Sequence, residues 1–301
     1  MRCSFDDFKK STLQSLKISE IRVKIYRIKY FLFVFFVVMI LFSLKGKAQG
    51  DLLLYPKRIV FEGSKRSQVL NLANSGKDTV RYLISVVQVK MNENGAFENI
   101  SQPDSGQRFA NKFFRFFPRN VVLAPNEAQS IKIQLINSNE LETGEYRSHI
   151  YFRAEPDKKP LGEEMVGKDS AVISVNLVAV FGISIPVIIR VGESTTQVRL
   201  SDVSLDMHDS IPLLKVIFDR TGNMSVYGDI SVDHISLQGK ITRVGIAKGM
   251  ALYTPNLSRN INLLLEKKPN VDFHSGKLHI LYTTPPDSKS LKIAETELML
   301  N

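Results

Sequence analysis

The feature that most constrains the fold is a run of alternating apolar residues near the middle of the chain. Residues 171–191 read AVISVNLVAVFGISIPVIIRV, and every odd position from 173 to 189 is apolar. Eleven of these 21 residues are Val or Ile, which favour extended backbone. A period of two places such a row on one face of a strand. We therefore predict a β-strand over 172–190. A membrane-spanning helix is the alternative for a run of this length, but Gly182 and Pro186 interrupt helices.

The predicted strand is about three times the common strand length. A sandwich of about 100 residues is too small to bury nine inward side chains of one strand. Part of the apolar row is therefore predicted to be exposed. Because proteins normally suppress long apolar edges, an exposed row suggests pairing with another chain by strand addition. The alternative is a long strand whose ends are covered by loops such as 96–118.

Alternation broken by turn residues also dominates the rest of the chain after Asp51, a pattern typical of short strands in sandwiches. The other strands predicted before residue 192 are 53–61, 67–73, 79–90, 120–123, 129–136 and 145–154. Those predicted after it are 197–205, 212–219, 225–233, 240–247, 260–265, 276–283 and 291–299. The fold class is all-β, with two immunoglobulin-like β-sandwich domains in tandem, at 49–191 and 192–301.

Residues 1–48 have the composition of an export signal. They contain an apolar run at 30–42, a basic stretch before it, and small residues preceding a cleavage site after Ala48. The run is shorter than the roughly 20 residues of a membrane span, so we predict a cleaved signal peptide, with an uncleaved N-terminal anchor as the alternative. In either case the two domains are predicted to function outside the cytoplasm, in the periplasm.

Charge and side-chain chemistry exclude several classes of function. The net charge is +10, but residues 1–48 hold ten Lys/Arg against three Asp/Glu, which leaves the remainder near neutrality. We therefore predict no nucleic-acid or nucleotide partner. The single cysteine, Cys3, lies in the leader, and the five histidines are scattered. The sequence predicts no catalytic residues, no metal site and no cofactor; an enzyme with an unrecognised site is the weaker alternative.

Four stretches in order resemble the periplasmic pilus chaperones, the PapD-like family. They are 56–63 (PKRIVFEG) with 67–74 (SQVLNLAN), then 82–85 (YLIS), then 117–125 (FPRNVVLAP) with 129–133 (QSIKI), and 144–152 (GEYRSHIYF). The resemblance covers roughly residues 51–192. It implies two sandwiches around a cleft that holds an unfinished pilus or fimbrial subunit, to which the chaperone lends a strand.

Carried over to this sequence, the resemblance assigns a donor strand near 173–183, with the side chains Val175, Leu177, Ala179 and Phe181 entering the subunit. It makes Arg58 the residue that binds the C-terminal carboxylate of the subunit. Family members share that task with a lysine of the donor strand, but the aligned residue here is Pro186. Arg190 is a possible substitute.

The sequence thus predicts a non-enzymatic periplasmic chaperone for pilus, fimbrial or related surface subunits, with a role in fimbrium biogenesis and cell wall organisation. Its predicted partners are those subunits and an outer-membrane usher or assembly platform. The alternative from another class is a structural or adhesive surface protein made of two immunoglobulin-like modules, without a client.

Overall fold

The computed structural model describes Tyr30 and residues 52–155, 180–209, 211–285 and 290–300. The predicted leader, apart from Tyr30, and the first part of the predicted central strand lie outside these residues. The chain divides into Met1–Gln49 and Gly50–Asn301, and every strand given below belongs to the second unit. No helix among the described residues is both long enough and apolar enough to cross a bilayer.

The first sandwich is built from strands that precede residue 192. They are β1 (Leu52–Tyr55), β2 (Ile59–Phe61), β3 (Ser67–Asn74), β4 (Val80–Val87), β5 (Val89–Met91), β6 (Phe97–Asn99), β7 (Phe114–Phe117), β8 (Asn120–Leu123), β9 (Ala128–Leu135), β10 (Gly144–Glu155) and β11 (Gly182–Val191). One sheet has the order β1-β3-β9-β7 and the other β2-β11-β10-β4-β8, while β5 and β6 form a separate hairpin.

The core of this sandwich follows from the alternation within each strand. In β10, Tyr146, Ile150 and Phe152 face inward, while the residues of opposite parity face away from the core, as the pleat requires. The inward residues of both sheets form one cluster. Its fully buried members include Ile59, Phe61, Leu70, Leu72, Leu123, Ile131, Ile133, Ile150 and Phe152.

The first two strands, β1 and β2, belong to different sheets, and a proline lies between them. β1 pairs with β3, whereas β2 runs parallel to β11 in the other sheet. Pro56 lies between them, where a residue without an N–H and with a fixed φ suits a break in pairing. This switch places Arg58 at the bend that leads into β2.

The second sandwich follows the same principle. Its strands are β12 (Gln197–His208), β13 (Ile211–Thr221), β14 (Val226–Ile235), β15 (Ile241–Leu252), β16 (Ser258–Leu264), β17 (Lys277–Thr283) and β18 (Lys292–Met299). The sheets have the orders β12-β13-β16 and β15-β14-β17-β18. Phe218 and Tyr282 are fully buried between them, with ring centroids 4.8 Å apart.

The predicted fold class is confirmed, because the described part of residues 52–300 forms two β-sandwiches with a single short 3-10 helix at Ser138–Glu140. The helical alternative is wrong for Gly182–Val191, which is a strand. The expectation of a loop over 96–118 was wrong for β6 and β7. In β7, Phe114 and Phe116 are core residues, but a strand of four residues offers too short an alternation to recognise. The three segment boundaries stay predictions.

Candidate functional site

The pairing of β11 differs between its two ends. On one side it pairs antiparallel with β10 from Gly182, opposite Arg153, to Val191, opposite Gly144. On the other side it pairs with β2 only at residues 187–189. Within the described ranges, residues 182–186 therefore have one edge without a neighbouring strand.

The apolar row of β11 extends past the core of its own sandwich. Ile185, Val187 and Ile189 are buried in that core. Ile183 and Phe181 have the same parity, but their exposed fractions are 37% and 49%. The sequence predicts that the apolar row is longer than the core, and the structure confirms this at these two positions.

The backbone alternation shows which groups face the free edge. The Ala154 N–H donates to the Phe181 carbonyl oxygen at 3.0 Å, so residues of odd number direct their backbone polar groups to β10. By the alternation of a ladder, Gly182, Ser184 and Pro186 direct theirs to the unpaired side. Pro186 has no N–H to leave unsatisfied there, which fits the rule that strand prolines lie at edges.

Three of the four donor residues predicted from the sequence, Val175, Leu177 and Ala179, lie outside the described residues. Phe181 is described, and it is exposed just before β11 begins. The assignment of these four side chains to subunit binding stays a prediction.

The opposite face of the same sheet carries a group of charged side chains against the second sandwich. Arg58 is half-buried, and its guanidinium carbon lies 4.2 Å from the centroid of the Tyr227 ring. Its Nε is buried without a hydrogen-bond partner. No carboxylate of the described residues lies within 4.0 Å of its nitrogens. Burial lowers the pKa of the Arg58 guanidinium, partly opposed by Tyr253.

Arg190, the predicted substitute for the missing lysine, already has partners. Its Nε donates to Glu145 Oε2 at 3.1 Å, and its Nη2 donates to the Ser225 carbonyl oxygen at 2.7 Å. Glu145 is buried and also accepts hydrogen bonds from the Ser225 N–H, the Ser225 hydroxyl and the Thr254 hydroxyl. Arg190 and Glu145 thus join the two sandwiches, and an anchor role for Arg190 stays a prediction.

Sequence reasoning missed two residues of this face, Arg147 and His149, which are both only 2% exposed. The Arg147 guanidinium carbon lies 4.4 Å from the centroid of the Tyr253 ring. One nitrogen, Nη2, donates to the Thr254 carbonyl oxygen at 3.4 Å, while Nε and Nη1 are buried without partners. Alternating polar residues in a strand normally indicate a solvated face, and nothing local shows that a second domain covers it.

His149 lies opposite Pro186 in the ladder. Its ring contacts Phe97 of the β5–β6 hairpin and Tyr253 of the second sandwich, with centroids 5.4 and 6.4 Å away. Burial, with the positive charge of Arg147 as a smaller cause, lowers the pKa of His149 to about 3. The imidazole is therefore neutral at neutral pH, and its Nδ1 has no hydrogen-bond partner.

Within the described ranges, no three His, Cys, Asp or Glu side chains are grouped so that they could bind a metal ion. Two surface features lie on β11 and its neighbouring strands. One is a free strand edge with exposed apolar side chains, and the other is a cationic, aromatic face.

Comparison with known proteins gave matches only among solved structures. No protein-family model and no curated protein matches the chain. The CupB2 chaperone of Pseudomonas aeruginosa is 12% identical over 83% of this chain and 100% of that one, with a TM-score of 0.42. A chaperone–tip adhesion subunit complex, CsuC–CsuE of the archaic chaperone-usher Csu pili of Acinetobacter baumannii, is 11% identical over 81% and 99%, with a TM-score of 0.42.

A third similar structure is the E. coli chaperone DraB, which is 12% identical over 83% of this chain and 96% of that one, with a TM-score of 0.39. Because the identities are low and the TM-scores stay below 0.5, these similarities do not show the function of this chain.

Proposed function

We propose that this protein is a non-enzymatic periplasmic chaperone that binds incomplete pilus, fimbrial or related surface subunits by adding residues 173–183 to their sheet as a strand. The observation that carries the proposal is the apolar row of β11. Ile185, Val187 and Ile189 fill the chain's own core, while Phe181 and Ile183 continue the same row outside it.

Both elements of strand addition are available at this edge. Gly182 and Ser184 direct backbone donors and acceptors to the unpaired side, and each ladder hydrogen bond contributes about 0.5–1.5 kcal/mol net. Burial of an exposed Phe181 or Ile183 side chain in a partner contributes about 1.5–3 kcal/mol. Several such terms are needed to exceed the entropic cost of association, so the upstream residues Val175, Leu177 and Ala179 belong to the proposed strand.

The end of the bound subunit lies at Arg58 in this proposal. Arg58 is half-buried beside Tyr227, and a guanidinium can bind a carboxylate through two parallel hydrogen bonds. Arg190 keeps Glu145 as its partner and contributes by holding the two sandwiches together. The leader directs export, and an outer-membrane usher receives the subunit without a cofactor or a nucleotide.

The test is co-purification of the mature protein with its client, followed by identification of the client by mass spectrometry. We expect Phe181→Glu and Leu177→Glu to lose the client with an unchanged free energy of unfolding, because a carboxylate cannot enter an apolar groove. Phe117→Glu is the matched control. Phe117 is 76% exposed on β7, remote in the sheet order from β11, and this variant should keep the client.

Full retention of the client by both Phe181→Glu and Leu177→Glu would contradict strand addition. Absence of any co-purifying subunit would favour the two-module surface protein without a client.

A further inference from the structure

The outer face of the sheet β1-β3-β9-β7 carries large apolar side chains where the solvated side of an antiparallel sheet normally carries polar ones. Residues of one parity in these strands fill the core of the first sandwich, so those of the other parity point outward. Four outward side chains are apolar and have exposed fractions between 49% and 76%: Leu53, Tyr55, Val69 and Phe117. Single exposed apolar residues are normal, but neighbouring ones mark a binding surface.

The strand register arranges these side chains as a band across the sheet. Val69 lies opposite Lys132, and Lys132 lies opposite Phe117. Tyr55 lies opposite Asn71, two residues from Val69 in β3, and this diagonal spacing is within reach of an aromatic side chain. The methylene stem of a lysine adds apolar area to such a surface. This outer band, made of Tyr55, Val69, Lys132 and Phe117, reaches from the edge strand β1 to the edge strand β7.

The charge of this sheet has one sign. Its four strands contain no Asp or Glu, and their two charged residues, Arg115 and Lys132, are both exposed. Arg115 Nη2 donates to Gln134 Oε1 at 3.3 Å, so this partner is neutral. In the second sandwich, by contrast, Lys277 of β17 is paired with Glu297 at 2.8 Å. A positively charged face without carboxylates is complementary to an anionic surface.

We propose that the outer band binds the surface of an anionic lipid bilayer. Aromatic rings beside lysine and arginine suit the boundary between lipid headgroups and acyl chains, because the rings enter the apolar region while the cations stay at the phosphates. A second copy of this chain is a poorer partner, since two such faces would bring cations together without any carboxylate between them.

The order of the chain supports a membrane as the partner. The apolar run of the predicted leader ends at residue 42, and β1 begins at Leu52. The residues between them, 43–51, span at most about 30 Å when extended. β1 is itself an edge strand of the sheet that carries the outer band. Export through the predicted leader therefore brings this face close to the membrane, whether or not the leader is later removed.

Membrane binding goes beyond the proposed chaperone function and does not depend on it. The outer band belongs to the sheet β1-β3-β9-β7, whereas β11 belongs to the other sheet of the first sandwich. A client at the free edge of β11 therefore leaves the outer band accessible. The two hypotheses are tested by different ligands, a subunit in one case and vesicles in the other.

The test is co-sedimentation of the mature protein with lipid vesicles, and removal of the leader ensures that its apolar run does not contribute. One set of vesicles contains equal parts of phosphatidylglycerol and phosphatidylcholine, and the other contains phosphatidylcholine alone. We expect at least about tenfold higher affinity for the anionic vesicles at low ionic strength, because each cation near an anionic surface contributes about fivefold. Added salt should reduce this preference by screening.

Two substitutions separate the apolar part of the outer band from its charge. Phe117→Ser should lower the affinity for both kinds of vesicle by about tenfold. Lys132→Gln should lower the affinity for the anionic vesicles alone, by about fivefold. The matched controls are Leu237→Ser and Lys240→Gln in the turn between β14 and β15, where both side chains are exposed. Both control variants should bind as the wild type does.

Wild-type affinity of Phe117→Ser for the anionic vesicles would overturn the proposal, and so would equal losses in the control variants. Sedimentation velocity and titration with poly-L-glutamate examine the other partners. A wild-type dimer that Phe117→Ser dissociates would assign the outer band to a second copy. Binding of polyglutamate that Lys132→Gln abolishes, without binding of vesicles, would assign it to an acidic protein. Either result would overturn the assignment to lipid.

Discussion

The two ends of β11 share one row of apolar residues at odd positions, yet their surroundings differ. Residues 187–189 lie between β10 and β2, with Val187 and Ile189 in the core and Ile188 against the second sandwich. Residues 182–184 pair with β10 alone and are exposed. Side-chain type does not decide which positions are buried, because Ile183 is exposed while Ile185 and Ile189 are buried. Pairing with β2 does not decide it either, since Ile185 is buried although β2 pairs only with residues 187–189.

The same difference separates the structural role of the paired end from the binding role proposed for the unpaired end. The paired end carries Arg190, which joins the second sandwich through Glu145 and Ser225. The unpaired end carries Ile183 and, just before it, Phe181, both partly exposed. Substitutions at the paired end should therefore change stability, and those at the unpaired end should change binding.

The largest contrast is expected from one substitution made at both ends of the row. Val187→Asp places an unpaired carboxylate at a fully buried position and should lower the free energy of unfolding by about 4 kcal/mol or more. Ile183→Asp, on the same face and partly exposed, should cost about 1 kcal/mol and still lose the client. Urea denaturation and co-purification measure the two effects. Equal destabilisation by both substitutions would remove the distinction between the ends.

A second experiment tests how the paired end of β11 is attached to the second sandwich. Glu145→Ala leaves Arg190 and the Ser225 hydroxyl without their shared acceptor, and removal of one partner of a buried ion pair costs about 3–5 kcal/mol. The matched control is Glu142→Ala, because Glu142 forms an exposed ion pair with Arg108. Such pairs contribute about 0–1 kcal/mol. A loss at Glu145 no larger than the loss at Glu142, measured by urea denaturation, would contradict the attachment.

The smallest effect is expected at the border between the two ends, where His149 lies opposite Pro186. Burial lowers the pKa of His149 in the folded chain to about 3, from a reference value of 6.5. As the pH falls below about 6.5, the unfolded chain therefore binds a proton that the folded chain does not. This proton uptake by the unfolded chain lowers the free energy of unfolding by about 2 kcal/mol at pH 5 and has almost no effect at pH 7.

His149→Phe provides the comparison, because it keeps an aromatic ring against Phe97 and Tyr253 and removes the titrating group. Urea denaturation at pH 7 and pH 5 should show a smaller loss for His149→Phe than for the wild type, by about 2 kcal/mol. Parallel pH dependences of the two proteins would show that His149 does not have a depressed pKa.

The fold could be predicted because strand alternation is local. The predicted strand 120–123 coincides with β8, and 67–73 ends one residue before β3 does. β7 was missed because Phe113 and Phe117 flank its two core phenylalanines and obscure the alternation. The family resemblance implies a carboxylate-binding role for Arg58, which stays a prediction. Nothing in the sequence indicated that Arg190 has Glu145 as its partner, because these residues are 45 positions apart.

The sequence by itself determined that 182–191 is a strand and that its apolar residues occupy the odd positions. It also determined that this apolar row is too long for one core. These properties depend only on residue spacing and side-chain volume. The tertiary structure alone decided where the row leaves the core, between Ile185 and Ile183, since that depends on which distant parts of the chain pack against each position. It also decided that Arg147 and His149 are buried. Both residues lie on a face of β10 that the second sandwich covers. Their local sequence pattern indicates a solvated surface, but burial by this distant part of the chain lowers the pKa of both side chains.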